Sequence, residues 1–123
     1  DMTIVTYGAT VLKSQQVAQK LEPEGINVEI IDLRTIVPWD HEIVAASVKK
    51  TNRVLVVHED VKFAGFGAEI SAWITENCFE SLDAPVRRIG ALDCPVSYGP
   101  EGEDAILPQN DWIEQGVKDL LAY

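Results

Sequence analysis

Arg53-Val-Leu-Val-Val-His58 is the stretch that decides the fold. Four apolar residues follow one another without alternation, three of them valine. A strand with one wet face alternates, whereas a strand covered by helices on both faces reads as a continuous apolar run. Residues 53–58 are therefore predicted to form a central strand of a parallel sheet. Working outward, residues 3–7, 26–31 and 85–89 are further short runs that read as strands, the first ending at Gly8 and the second followed by a loop that Pro38 closes. Between them lie helical patterns. The first carries Val11, Leu12, Ala18 and Leu21. The second starts at an Asp40 cap, carries Ile43, Val44, Ser47 and Val48, and ends on the cations Lys49 and Lys50. The third follows Gly65 and Gly67, with Ile70, Trp73, Ile74 and Cys78 on one stripe, and a last helix is capped by Asp111 and bears Ile113, Val117, Leu120 and Leu121. Residues 91–110, rich in Pro, Gly and acids, read as a long surface loop. Alternating strands and helices predict an α/β fold, a three-layer sandwich with a mostly parallel sheet and right-handed crossovers.

The chain has 123 residues, 46% apolar and 24% charged, which is the size and usage of one globular domain without linkers. No apolar run approaches a membrane span, and Asp1-Met2-Thr3-Ile4 has no leader-like character, so a soluble protein is expected. A net charge of −10 disfavours nucleic acid and anionic membrane and favours basic partners. Cys78 and Cys94 match no metal spacing, and two reduced thiols are the expectation, with a pairing left open.

In an open α/β sheet, ligands sit beyond the C-terminal ends of the strands. Here that edge is the turn at Gly8-Ala-Thr10 and the stretch from His58-Glu59-Asp60 to Gly67. Gly65-Phe-Gly67 before a helix could cradle a phosphate, but Ile70 stands where the dinucleotide fingerprint needs Gly or Ala. The blander reading is a tight turn that lets Phe66 pack. His58, Glu59 and Asp60 offer an imidazole and two carboxylates without any nucleophile beside them; structural ion pairs and caps account for such triplets equally well. His41 is expected to be solvated. The first strand ends in Tyr7-Gly8 rather than an acidic pair, which argues against a phosphoacceptor receiver, and no Walker loop, nucleophile elbow, zinc helix or calcium loop is present.

Four stretches together resemble the C-terminal domain shared by transketolase-like enzymes: Asp32-Leu-Arg-Thr-Ile-Val-Pro38-Trp-Asp40, Val56-Val-His-Glu-Asp60, Gly65-Phe-Gly-Ala-Glu-Ile70 and Leu82-Asp-Ala-Pro85. The resemblance runs almost end to end. Leu82-Asp-Ala-Pro85 with Leu107-Pro108 is most similar to the β-subunits of thiamine-diphosphate-dependent 2-oxo acid dehydrogenases, acting on pyruvate or branched-chain 2-oxo acids, and residues 68–95 resemble the branched-chain types. The resemblance implies a fragment of a larger β-subunit or fused αβ chain. The intact enzyme would decarboxylate a 2-oxo acid oxidatively and pass the acyl group to lipoamide, using thiamine diphosphate and magnesium held by other domains and the α-subunit. This chain would bind neither, hold no catalytic residue, and serve assembly and docking. The implied partners are the remaining domains of the enzyme, the α-subunit, a second β-subunit and the lipoyl acyltransferase core, in the cytoplasm or, in a eukaryote, the mitochondrial matrix. The residues expected at partner interfaces are Glu59, Asp60, Phe63, Phe66, Asp83 and Tyr123. Two other readings stay open: a free-standing flavodoxin-like module binding a small ligand at the His58-to-Gly67 crevice, and the C-terminal domain of a transketolase-type transferase.

Overall fold

A computed structural model describes residues 1–123. Four strands, β1 (Met2–Thr6), β2 (Val28–Asp32), β3 (Val54–Val61) and β4 (Arg87–Ala91), form one sheet in the order β2-β1-β3-β4. Every pairing is parallel. The helices are α1 (Thr10–Leu21), α2 (His41–Thr51), α3 (Phe66–Cys78), α4 (Pro100–Ile106) and α5 (Asn110–Leu121). The strand expected at the centre is one of the two inner strands, and β1 beside it is equally buried along its whole length.

The continuous apolar run of β3 is explained by the two cores that it joins. Val54 and Val56 face one core with Ile70, Ile74 and Val44 from α2 and α3; Leu55 and Val57 face the other with Val17, Ile113 and Val117 from α1 and α5. Period-two alternation thus sends each neighbour to an opposite helix layer, and both sides are dry. Each fully buried aliphatic side chain contributes about 1.5–3 kcal/mol.

Several local expectations are corrected. The buried stripe of α1 is Thr10, Ser14, Val17 and Leu21, and Leu12 is 61% exposed. The upper half of that stripe is polar because Thr10 Oγ1 is used to bond Tyr7 O (2.8 Å) and Val57 O (3.3 Å). In α2, Val44, Ser47 and Val48 are buried but Ile43 is largely exposed; the Asp40 cap is present, its carboxylate accepting from Ile43 N at 3.0 Å. Gln109, not Asp111, occupies the cap position of α5, and Asp111 lies in the first turn, where its charge still favours the helix dipole. The expected surface loop contains α4, started by Pro100, whose fixed φ suits a first helical position. His41 is only partly solvated: its ring packs against Trp39 and Trp73, with centroid distances of 3.9 and 4.7 Å.

Candidate functional site at the strand ends

The β3–β4 pairing is regular from Leu55↔Arg87 to Val57↔Ile89 and then shifts, resuming at Val61↔Ala91. His58, Glu59 and Asp60 therefore stand opposite the single residue Gly90. Such a bulge re-aims side chains. It turns Glu59 and Asp60 outward to solvent and leaves His58 fully buried.

Glycines make the room for the His58 ring. A methyl group at Gly67 would lie 2.1 Å from Nε2, one at Gly90 would lie 3.0 Å from Cε1, and one at Gly65 would lie 3.2 Å from Cε1 while striking Val61 O at 2.1 Å. The Gly65-Phe-Gly67 segment thus exists for close approach to an imidazole, in addition to the turn. Tyr7 closes the remaining side, its ring nearly parallel to the imidazole (10°) at 6.1 Å between centroids, and Phe66 meets Tyr7 edge-on at the same distance. Neither ring nitrogen of His58 reaches a hydrogen-bond partner with good geometry.

Burial holds the His58 pKa below the usual histidine range, with Arg88 adding to the effect; the backbone and carboxylate of Asp60 oppose it. Burial also raises the Tyr7 phenol, and the Asp60 carboxylate adds to that. The result is a neutral imidazole beside a neutral phenol, closed off by aromatic packing. General acid–base work needs a substrate proton within about 3 Å of the acting atom. The glycine cradle that might have taken a phosphate is filled by the imidazole, and no three His, Cys, Asp or Glu side chains converge on a metal-sized centre.

The six residues expected at partner interfaces fall into two groups at opposite edges of the sheet. Glu59, Asp60, Phe63 and Phe66 lie at the C-terminal edge, where Phe63 is 76% exposed and Phe66 is half-buried against Tyr7. Asp83 lies at the N-terminal edge: its N–H donates to Asn52 O (2.8 Å) and its carboxylate is 3.8 Å from Arg53 Nη1. Lys13 reaches Pro108 O (2.7 Å) near the start of α5, and Lys20 pairs with Glu114 further along, so α5 runs beside α1 away from the C-terminal edge. Tyr123, exposed, accordingly sits on the Asp83 side. Tyr7 and Gly90 were missed from sequence. The signal for Gly90 was a glycine inside a strand pattern, which marks close backbone approach; that for Tyr7 was its place at the end of a strand adjacent to β3.

Cys78 is buried and Cys94 exposed, both free, and no helix is long and apolar enough to cross a membrane. Residues 1–113 match the family model of the transketolase C-terminal domain. The whole chain is 50% identical to 2-oxoisovalerate dehydrogenase subunit beta 2, mitochondrial, of Arabidopsis thaliana, and 42% identical to the pyruvate dehydrogenase E1 component subunit beta of Staphylococcus aureus. It spans 34% and 38% of the lengths of those two proteins. Among solved structures, a split-gene transketolase, an inactive β4 tetramer, superposes over 99% of this chain and 38% of that one, with a TM-score of 0.82 at 24% identity, a likeness of fold. The sheet order, the sequence likeness along its full length and the family match agree: this chain belongs to the transketolase C-terminal-domain family.

Proposed function

We propose that the chain is the C-terminal assembly and docking domain, residues 1–123, of a thiamine-diphosphate-dependent 2-oxo acid dehydrogenase β-subunit. The intact enzyme would decarboxylate a branched-chain 2-oxo acid or pyruvate and transfer the acyl group to lipoamide. The observation that carries this reading is the joint one: likeness to two such β-subunits over the entire chain, in a molecule whose one buried strand-end imidazole is sealed from substrate. Thiamine diphosphate and magnesium belong, on this reading, to other parts of the enzyme. The residues here do not fit either group, because the glycine loop encloses His58 and no carboxylate cluster gathers.

The partners are then the remaining domains, the α-subunit and a second β-subunit, met at the C-terminal edge through Phe63, Glu59, Asp60 and the outer face of Phe66. The acyltransferase core would be met at the N-terminal edge near Asp83 and Tyr123. A β-subunit of this kind works in the cytoplasm or the mitochondrial matrix. Support for the first surface is that one loop at this edge carries two aromatic rings, the exposed Phe63 and the half-buried Phe66, apolar area that a partner would cover. The test is assembly of the intact enzyme with Phe63→Asp, followed by analytical ultracentrifugation. Dissociation at least ten-fold easier, with an unchanged melting temperature for the isolated subunit, is expected. Unchanged assembly refutes the interface, and loss of turnover in Glu59→Ala with intact assembly would place chemistry where only contact is proposed.

A further inference from the structure

The segment that leads from β3 into α3 is thinly tied. The β3–β4 register breaks after Val57 and resumes at Val61↔Ala91. From Lys62 to Gly65 the hydrogen bonds are those of Arg88 Nη1 from β4 to Lys62 O (2.7 Å) and of Ala68 N to Gly65 O (2.9 Å), the second lying inside the turn. Ala64 holds φ at 55°, a left-handed conformation that a residue with a Cβ adopts under strain. No residue from 59 to 65 belongs to either core.

What this segment covers is the His58 ring. Gly65 and Gly67 stand against it, and the closure toward solvent is made by two half-buried rings, Phe66 set edge-on to Tyr7. An imidazole enclosed this way is comfortable only while neutral. An imidazolium carries an N–H on both nitrogens, and neither nitrogen here makes a well-formed hydrogen bond. The ionisable groups around the ring oppose one another. Burial is the largest influence and acts against charge, with Arg88 of β4 on the same side; Asp60, on the strand of His58 itself, favours charge through its backbone and its carboxylate. From β1 comes the neutral Tyr7 phenol, while Glu59, Lys62 and, on α3, Glu69 are exposed to solvent.

We propose that residues 59–66 form a proton-operated latch: protonation of His58 swings residues 62–66 off the ring, so that the imidazolium reaches water and the Asp60 carboxylate, while the sheet and the helices stay folded. The strained turn and the half-exposed rings are the parts that can move without disturbing a core, so local opening is the shortest route by which the charged ring regains solvent. The closed state excludes the proton and the open state accepts it, so acid favours opening. Phe63 and Phe66 ride on this segment, and acid therefore also loosens the partner surface at the C-terminal edge. That consequence rests on the reading above; the latch itself does not.

The test is amide exchange, corrected for the intrinsic pH dependence of each amide, in the full-length protein that carries this chain, free of other subunits, at pH 7.5 and 5.5. A ring that titrates near 6.5 when open and stays neutral when closed raises the open population by at most about ten-fold between these values, so residues 62–66 should lose protection by about three- to ten-fold. Val54–Val57 should keep theirs. In His58→Gln the pH response of residues 62–66 should vanish. In Asp60→Asn, at an exposed position whose folding is not at risk, it should begin at lower pH, and this comparison stands alone if His58→Gln does not fold. Equal protection of residues 62–66 at both pH values would overturn the latch. So would a response that survives in His58→Gln, one unchanged in Asp60→Asn, or a loss shared equally by Val54–Val57, which would be loosening of the whole molecule. Failure of the partner reading shows elsewhere, in the assembly of Phe63→Asp.

Discussion

His58 is a side chain whose two ring nitrogens make no well-formed hydrogen bond, with the backbone and carboxylate of Asp60 as its nearby polar groups, held by three glycines and a tyrosine. An imidazole so placed stays neutral when folded. Its pKa is lowered in the folded state and near 6.5 when unfolded, so below pH 6.5 the unfolded chain takes up a proton that the folded chain does not. Stability from this group is therefore complete above pH 6.5 and falls as pH drops from there toward the folded pKa, by at most about 1.4 kcal/mol per pH unit. Denaturant titrations at pH 7.5 and 5.5 should show a larger acid loss in the native chain than in His58→Leu; equal losses would contradict the burial of a neutral ring. Gly67→Ala should destabilise by about 1–3 kcal/mol through overpacking, and the cost should shrink in the double variant with His58→Ala, because the ring is what the methyl group strikes. Additive costs would refute that contact. At this scale sequence was least informative. The triplet His58-Glu59-Asp60 was visible at a strand end, but the bulge that turns its members in opposite directions depends on Gly90, about thirty residues away in the chain.

At the scale of elements, the apolar run of β3 identified an inner strand because dryness on both faces requires a side chain such as valine at every position. The same logic underestimated β1, whose Thr3 and Thr6 are fully buried. Thr3 Oγ1 lies 2.6 Å from Ser47 Oγ and 2.7 Å from Thr51 Oγ1, and Ser47 Oγ donates to Glu29 Oε2 at 2.9 Å. That bond, ahead of the nearby Lys50, holds the Glu29 carboxyl below its usual range despite some desolvation. A threonine in a core strand reads as an alternating, half-wet position until its hydroxyl partners on α2 are known. Thr3→Val should cost about 1–3 kcal/mol, since it leaves buried hydroxyls on α2 short of a partner; a neutral or stabilising result in thermal melts would show the network to be dispensable. Amides of Val54–Val57 and of residues 3–5 should be among the slowest to exchange, and fast exchange in either strand would contradict the strand order. Helix boundaries were less legible. Asp111 has the chemistry of a cap, yet the chain enters α5 two residues earlier, after Pro108-Gln109 is fixed by Lys13 from α1. That is a tertiary choice which no local pattern carries.

At the scale of the molecule, the layer order, the parallel sheet and the family could all be read from strings of residues, because each reflects local pattern repeated along the chain. The candidate sites could not, because they are made where distant segments meet: Tyr7 with His58 and Gly67, and Asp83 with Arg53. The proposed interface residues accordingly divide between two edges, which suits a domain that joins its own enzyme on one side and a larger complex on the other. The central claim is that this chain shapes an assembly and holds no cofactor. Isothermal titration of thiamine diphosphate with magnesium into the 123-residue chain, beside the same titration into the intact dehydrogenase, tests it most directly. The expected result is no binding heat from the chain and saturable binding by the intact enzyme; micromolar binding by the chain alone would contradict it.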